Sequence, residues 1–509
     1  MTITKILMLF AIIVYLIAVV GIGVVLAKRN RTTEDFYLGG RKLGPFVTAM
    51  SAEASDMSSW LLMGLPGVAY LTGVADAAWT AIGLAIGTYV NWLVVAKRLR
   101  YYTLEAGNAT TLPLFFSNRY RDEKKIISVI AAVMIIIFFV PYTASGFAAC
   151  GKLFATMFGM DYLPAMIISA IVIVAYTTLG GFWAASTSDF VQSIIMTMAI
   201  IVVFGFGINN VGSFAAVIEN AQAIPGYFSL TQIYDPATAS ASPYGALTIA
   251  SMLAWGLGYF GMPHVLLRFM AIEDAQKLKL SRRVATVWVI ISMIVAIFIG
   301  IVGNAMTKVG SIPTLEDPET IILTISDLIS QHGVLAALVA GTILAGILAA
   351  TMSTADSQLL AASSSASQNI LKEVFMKDMS EKTGMMAARI TVLIISAIGM
   401  FIARDSDSSV FQIVSFAWAG FGATFGPLML MALFWKRSNM QGALWGMVSG
   451  GVMVFVWKFL IRPMGGVLGI YELLPAFLVG LAVNVIVSLL TEAPSREIQD
   501  EFDRVKAMK

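Results

Sequence analysis

The chain has 509 residues, of which 58% are hydrophobic and only 12% charged, with a mean hydropathy of +0.83; a soluble domain carries charge on about a quarter of its residues, so this is a polytopic membrane protein. The net charge of +3 comes from basic residues scattered between apolar runs, which argues against nucleic acid as a partner. A single cysteine, Cys150, cannot form an intrachain disulfide, and two distant histidines, His264 and His332, give a transition-metal site nothing to build on.

Runs long enough to span a bilayer, at about 20 residues each, fall at 6–27, 44–74, 77–95, 126–158, 162–179, 190–208, 246–270, 284–306, 334–371, 385–403, 410–435, 443–461 and 473–490. The first has one preceding lysine and no small-residue cleavage site, so it reads as a retained helix. With about 13 spans and the N-terminus outside, roughly 27 of the 33 basic residues fall on the inner face, as the positive-inside rule expects. They include Lys28, Arg29, Arg31, Arg41 and Lys42, the runs 97–125, 268–283 and 372–389, Lys436, Arg437 and the tail. The C-terminus is then cytoplasmic, and the protein is a multi-pass protein of the cell membrane. The outer loop 209–244 contains no Lys or Arg; it is either a plain connector or a lid carrying a short helix. Residues 316–331 alternate at helical spacing and predict a helix lying at the outer interface. The tail 492–509 is charged and reads as solvated. Glycines 420, 422 and 426 lie inside an apolar span with no preceding strand, so close helix packing explains them better than a dinucleotide loop.

Unwound backbone inside a membrane is tolerated only where it lines a cavity, and two spans look built to break. In the second, Ser51-Ala52-Glu53-Ala54-Ser55-Asp56-Met57-Ser58-Ser59-Trp60 places two carboxylates and four hydroxyls at membrane depth, which by default marks an ion or substrate path. In the seventh, Ala254 to His264 holds three glycines and a proline. The two stand five spans apart, so they enter the membrane in opposite senses, the arithmetic of an inverted repeat whose broken helices meet near the midplane. A third polar island in the ninth span carries Thr351, Ser353, Thr354 and Ser357. Hydroxyls and carbonyls without a carboxylate cage suit a weakly held monovalent cation, with Na+ the natural candidate. Ser/Thr bonding to the helix's own carbonyls is the alternative.

Further stretches carry a family resemblance: Leu38 to Ala49; Ala54-Ser55-Asp56-Met57-Ser58 with Leu61 to Gly64; Gly180-Gly181-Phe182 with Ser188 to Gln192; Trp255 to Gly261 before Pro263-His264; Leu348-Ala349-Ala350 with Met352-Ser353-Thr354; and Ala417 to Gly422. On these, the chain resembles the solute:sodium symporter family, and within it the bacterial sodium/proline symporters, over nearly its whole length. The resemblance implies an all-α, leucine-transporter-like fold with five-plus-five inverted repeats, the first helix of each repeat being discontinuous. The repeats fall at 44–208 and 246–435, after a first helix and loop (1–43) and before two peripheral helices and a tail (436–509).

It also implies a Na+ site from the carbonyls of Ala54, Met57 and Ala350 and the hydroxyls of Ser353 and Thr354. Asp56, Asp189 and Arg41 are implied in ion coupling, although Arg41 serves equally well as a positive-inside anchor. The implied proline site is Ser58, Trp60, Tyr142, Trp255, Tyr259 and Pro263. Glu53 and Ser59 depart from the pattern, since both stand where the proline symporters usually have glycine. The expected activity is secondary active symport of L-proline with Na+, with no enzyme chemistry and no obligatory protein partner. Other amino acids, sugar acids or carboxylates remain as solutes and H+ through Glu53 as coupling ion, while a channel is disfavoured by the unlike polar islands.

Overall fold

The computed structural model describes residues 2–27, 32–376, 378–405 and 409–508. Lys28, Arg29, Arg31, Lys377 and Lys509, assigned above to the inner face, lie outside the described residues. Among the described residues, ten helices are long and apolar enough to cross a membrane, and two shorter apolar helices join them, Tyr162–Ala175 and Ala246–Phe260. The remaining expected run, 44–74, is helical but broken into short pieces.

Helix α1 (Ile3–Ala27) is followed by the broken pair α2 (Pro45–Ser59) and α3 (Leu65–Thr72). Next come α4 (Val74–Val90), α5 (Ile126–Phe158) and α6 (Tyr162–Val211). Gly181, at φ 62° and ψ −170°, breaks α6 where the sequence separates the fifth and sixth spans; glycine accepts this backbone without a Cβ clash. The outer loop folds as α7 (Phe214–Ala223) and an antiparallel hairpin, β1 (Gln232–Asp235) with β2 (Ser240–Pro243), in register Gln232 to Pro243.

The second broken helix is α8 (Ala246–Leu253), a tighter turn over Ala254–Phe260, and α9 (Pro263–Ala271). Pro263 occupies the first turn of α9, the helical position that needs no N–H. Helices α10 (Leu278–Lys308), α11 (Ile321–Ser330), α12 (Val334–Ser364), α13 (Glu381–Ile402) and α14 (Val410–Phe434) follow. The chain ends in α15 (Met440–Val456), α16 (Leu473–Leu490) and α17 (Arg496–Ala507).

Small residues set the helix spacing. A methyl at Gly422 of α14 would lie 2.8 Å from Gly258 Cα, too close for a carbon contact, so the backbones meet directly. Close packing is therefore what the glycines of 420–426 supply.

Two expectations are corrected. Helix α11 forms, but Ile321, Ile322, Leu323 and Ile325 are fully buried, so it packs into the bundle rather than lying at an interface. The tail is not freely solvated. Ile498, Phe502 and Val505 of α17 are buried, Arg98 lies 4.7 Å over the Phe502 ring, and Arg121 pairs with Glu501 at 2.7 Å. Charge in the tail hides an amphipathic face that covers the cytoplasm-assigned ends of neighbouring helices.

Candidate functional site

The site begins at Ser58, whose φ of 45° and ψ of −170° interrupt α2. A non-glycine residue at positive φ is strained, and such strain clusters at functional sites. The Ser58 hydroxyl accepts the Trp60 N–H at 3.0 Å, partly stabilising the break. The interruption frees carbonyls just before it. Tyr142 of α5 donates to the Asp56 carbonyl at 3.1 Å, and Tyr259 donates to Asp56 Oδ2 at 2.7 Å. The seventh span is thereby tied to the second at its own break.

Ser353 Oγ donates to Ala54 O at 2.8 Å and to Ala350 O at 3.1 Å, and Thr354 Oγ1 lies 3.1 Å from Ala350 O. Four of the five oxygens expected around Na+ are therefore together between α2 and α12. The fifth, the Met57 carbonyl, accepts the Trp60 N–H, and Met57 is buried. The donor set is neutral oxygen, the chemistry of a monovalent cation rather than a transition metal. No group of three or more His, Cys, Asp or Glu that could hold a metal occurs among the described residues.

Beyond the break, aromatic rings close together. Trp60 and Trp255 have ring centres 5.7 Å apart, and Phe411 of α14 lies 6.1 Å from Trp60 and 5.7 Å from Trp255. Trp418 packs edge-on to Tyr259 at 5.1 Å and donates its indole N–H to the Trp255 carbonyl at 2.8 Å. In and beside this buried cluster, Asp56 Oδ1, Ser59 Oγ, Trp60 Nε1 and Trp255 Nε1 have no hydrogen-bond partner among the described residues. Unsatisfied polar atoms buried in and beside this cluster are costly unless something polar enters. Ser58, Trp60, Tyr142, Trp255 and Tyr259 thus lie in one connected set, with Pro263 starting the helix just beyond.

Glu53 stands on the other flank of α2, fully buried. Its Oε1 accepts from Thr88 Oγ1 at 3.0 Å and Trp92 Nε1 at 2.9 Å, while Oε2 has no partner among the described residues. Asp189 of α6 accepts from Ser51 at 2.6 Å and from Arg268 at 3.2 Å. Arg41 is not in this cluster. It donates to Met270 O at 2.9 Å and Ala109 O at 2.7 Å, clamping the end of α9 against the loop 106–109. Burial, with Arg100 nearby, pulls its pKa down to about 10.

Three parts of the site escaped the sequence reading. Arg268, assigned to an inner loop, is 1% exposed and bonds Asp189, Ser51, Ser357 and the His264 carbonyl. The signal was present, because Arg268 falls inside the run 246–270 and a charge within a span asks for a partner. Lys152, also inside a span, pairs with Asp317 at 2.8 Å and Glu319 at 3.0 Å. Tyr471, in a connection counted as peripheral, stacks on Trp255 at 5.0 Å. Nothing in its local sequence marks it.

Residues 36–450 match the Sodium:solute symporter family. The chain is 41% identical over 485 residues to the high-affinity proline transporter PutP of Bacillus subtilis, spanning 95% of this chain and 98% of that one. It is 40% identical over 501 residues to a sodium/proline symporter of Haemophilus influenzae, covering 97% and 96% of the two chains. Among solved structures, a Na+-coupled sialic acid symporter in a substrate-bound, outward-open state superposes with a TM-score of 0.79 at 18% identity, over 96% of this chain and 99% of the other. Mhp1, a nucleobase-cation-symport-1 family transporter, superposes at 0.54 with 13% identity, over 92% and 98%. These likenesses bear out the inverted-repeat transporter fold, with its two discontinuous helices at Ser58 and at Gly261. By the match over 36–450 and by its near-full-length relatives, the chain belongs to the sodium:solute symporter family.

Proposed function

We propose that the chain is a secondary active symporter that carries L-proline into the cell together with Na+. The observation that carries this reading is the buried aromatic cage at the Ser58 break, where Trp60 Nε1, Trp255 Nε1 and Asp56 Oδ1 have no partner among the described residues. A pyrrolidine ring suits the walls, and the indole N–H groups of Trp60 and Trp255 suit its carboxylate. Asp56 Oδ1 suits its ammonium. Near-full-length relatives named as proline transporters support the choice of solute.

In this reading Na+ enters first, and the oxygens of Ala54, Met57, Ala350, Ser353 and Thr354 replace its water. Binding there draws α12 and α2 together and fixes Asp56, whose carboxylate Tyr259 already orients. The repeats 44–208 and 246–435 then rock around the site, with the N-terminus outside and the C-terminus in the cytoplasm. Asp189 and Arg268 stand on the inner release path. One charge crossing 100 mV is worth about 2.3 kcal/mol, and a tenfold Na+ gradient adds about 1.4. One Na+ per solute therefore sustains an accumulation of several hundredfold.

Proton coupling through Glu53 is the second reading, favoured by its buried, unpartnered Oε2. Uptake of radiolabelled L-proline into proteoliposomes, with Na+ and pH gradients imposed separately, tests both. Concentrative uptake on a Na+ gradient alone is expected. Uptake that follows only the pH gradient selects the second reading, and indifference to excess unlabelled proline removes proline as the solute.

A further inference from the structure

The connection between α15 and α16, expected to be peripheral, reaches the aromatic cage. Tyr471 is 5% exposed and lies 5.0 Å from Trp255 at an interplanar angle of 20°. Trp60, Phe411 and Trp418 are farther from the same indole and less parallel to it, at 5.7 Å and 31°, 5.7 Å and 41°, and 6.3 Å and 26°. Tyr471 is also fixed at both ends. Its N–H donates to Ser251 Oγ of α8 at 2.8 Å, and its hydroxyl donates to the Ser415 carbonyl of α14 at 2.5 Å. The next residue, Glu472, is fully buried and pairs with Arg462 at 2.8 Å, which anchors the connection where it enters the bundle.

We propose that Tyr471 is a positioning residue of the solute pocket, backing the Trp255 indole so that the cage accepts a five-membered ring and excludes a larger one. This deepens the proline reading and rests on it. A stacked pair adds directional packing beyond the area it buries, and a clamp spanning α8 and α14 holds that packing in register as both helices move. With the phenol removed, Trp255 has room to retreat and the cage gains depth on that side. The Na+ oxygens lie on α2 and α12, away from this contact, so the ion site keeps its geometry.

The test uses the full-length protein in proteoliposomes, with Na+-driven L-proline uptake inhibited by unlabelled proline or by its six-membered-ring homologue. In Tyr471→Ala, KM for proline is expected to rise about tenfold and the homologue to gain about tenfold in potency relative to proline. The half-saturating Na+ concentration should stay within about twofold. Tyr471→Phe, which keeps the stack but loses the bond to the Ser415 carbonyl, should shift the inhibitor ratio in the same direction as Tyr471→Ala by a smaller factor, and Tyr471→Trp should shift it the opposite way. An unchanged inhibitor ratio in the Ala and Trp variants overturns the proposal, whatever happens to maximal rate. If Tyr471→Ala does not reconstitute, the Trp variant decides alone. Failure of the proline reading is seen separately, as wild-type protein without Na+-driven proline uptake.

Discussion

Arg268 and Asp189 meet at 3.2 Å with side chains 1% and 0% exposed, and through Ser51 and Ser357 the pair joins α9, α6, α2 and α12. It also lies against an aromatic face, with the guanidinium 4.9 Å from the Phe182 ring centre. Four helices, which part for inward release in the proposed mechanism, are therefore held by one buried ion pair. Removing one partner of such a pair costs about 3–5 kcal/mol because the other charge is stranded. Arg268→Met should lower thermal stability in detergent sharply and suppress uptake. Arg268→Met with Asp189→Asn should recover much of the stability. If the double variant is as unstable as the sum of the singles, the two residues are not coupled.

The oxygens proposed to hold Na+ give a second expectation. Hydrogen bonds to charged groups are worth about 1.5–3 kcal/mol, so losing a hydroxyl from the set should raise the half-saturating Na+ concentration by about tenfold or more. Ser353→Ala and Thr354→Ala should each do so, with little change in which solutes compete. A double variant with wild-type Na+ dependence removes these hydroxyls from the ion site.

The sequence was most readable where physics forces an exception. Polar groups in the second span and glycines in the seventh announced both breaks, because a membrane helix abandons its own hydrogen bonds only for a purpose. Ser353 and Thr354 were readable for the same reason, as hydroxyls in an apolar span. Arg268 and Lys152 carried a signal too, as charges inside spans, but their partners Asp189 and Glu319 lie 79 and 167 residues away. One-dimensional pattern does not reveal such pairings. Tyr471 was invisible, since an aromatic residue next to an acidic one in a connecting loop has no periodicity to betray a buried role. Ser58 shows a finer limit, because the run 51–59 predicted a break without telling which serine would take the positive φ.

Glu53 supplies a third prediction. Its Oε1 satisfies two buried donors, Thr88 and Trp92. Glu53→Gln keeps an acceptor there and should fold with stability near wild type. Glu53→Leu strands both donors, at about 1–3 kcal/mol each. Thermal unfolding of the purified proteins in detergent compares them; equal melting temperatures for the Gln and Leu variants contradict this assignment of the bonds.

The last prediction concerns the opposite end of the site. Glu319 accepts from the N–H groups of Val410 and Phe411 at 3.1 and 3.0 Å and from Ser409 Oγ at 2.9 Å, so its carboxylate caps α14 at the positive end of that helix. Lys152 of α5 holds the same carboxylate at 3.0 Å. Phe411, pinned through its own N–H, covers Trp60 and Trp255, and a cavity of about 460 Å³ lined by Lys152, Glu319 and Phe411 lies beyond it. The Lys152–Glu319 pair thus fastens the ring that packs on Trp60 and Trp255, which in the proposed mechanism closes the cage on the side away from Arg268. Loosening it should favour the state open on that side. With Cys150→Ser as background, Gly64→Cys sets a Cβ 3.3 Å from Trp60 Cδ1 and 3.4 Å from Phe411 Cβ, so its thiol reports on the packing of these two rings. Adding Glu319→Gln or Lys152→Met should speed its reaction with a membrane-impermeant thiol reagent several-fold and slow turnover. Lys152→Arg, which keeps the ion pair, should do neither. If the thiol reacts at the same rate in all of these proteins, Phe411 is held by its ring contacts alone and the ion pair is no latch.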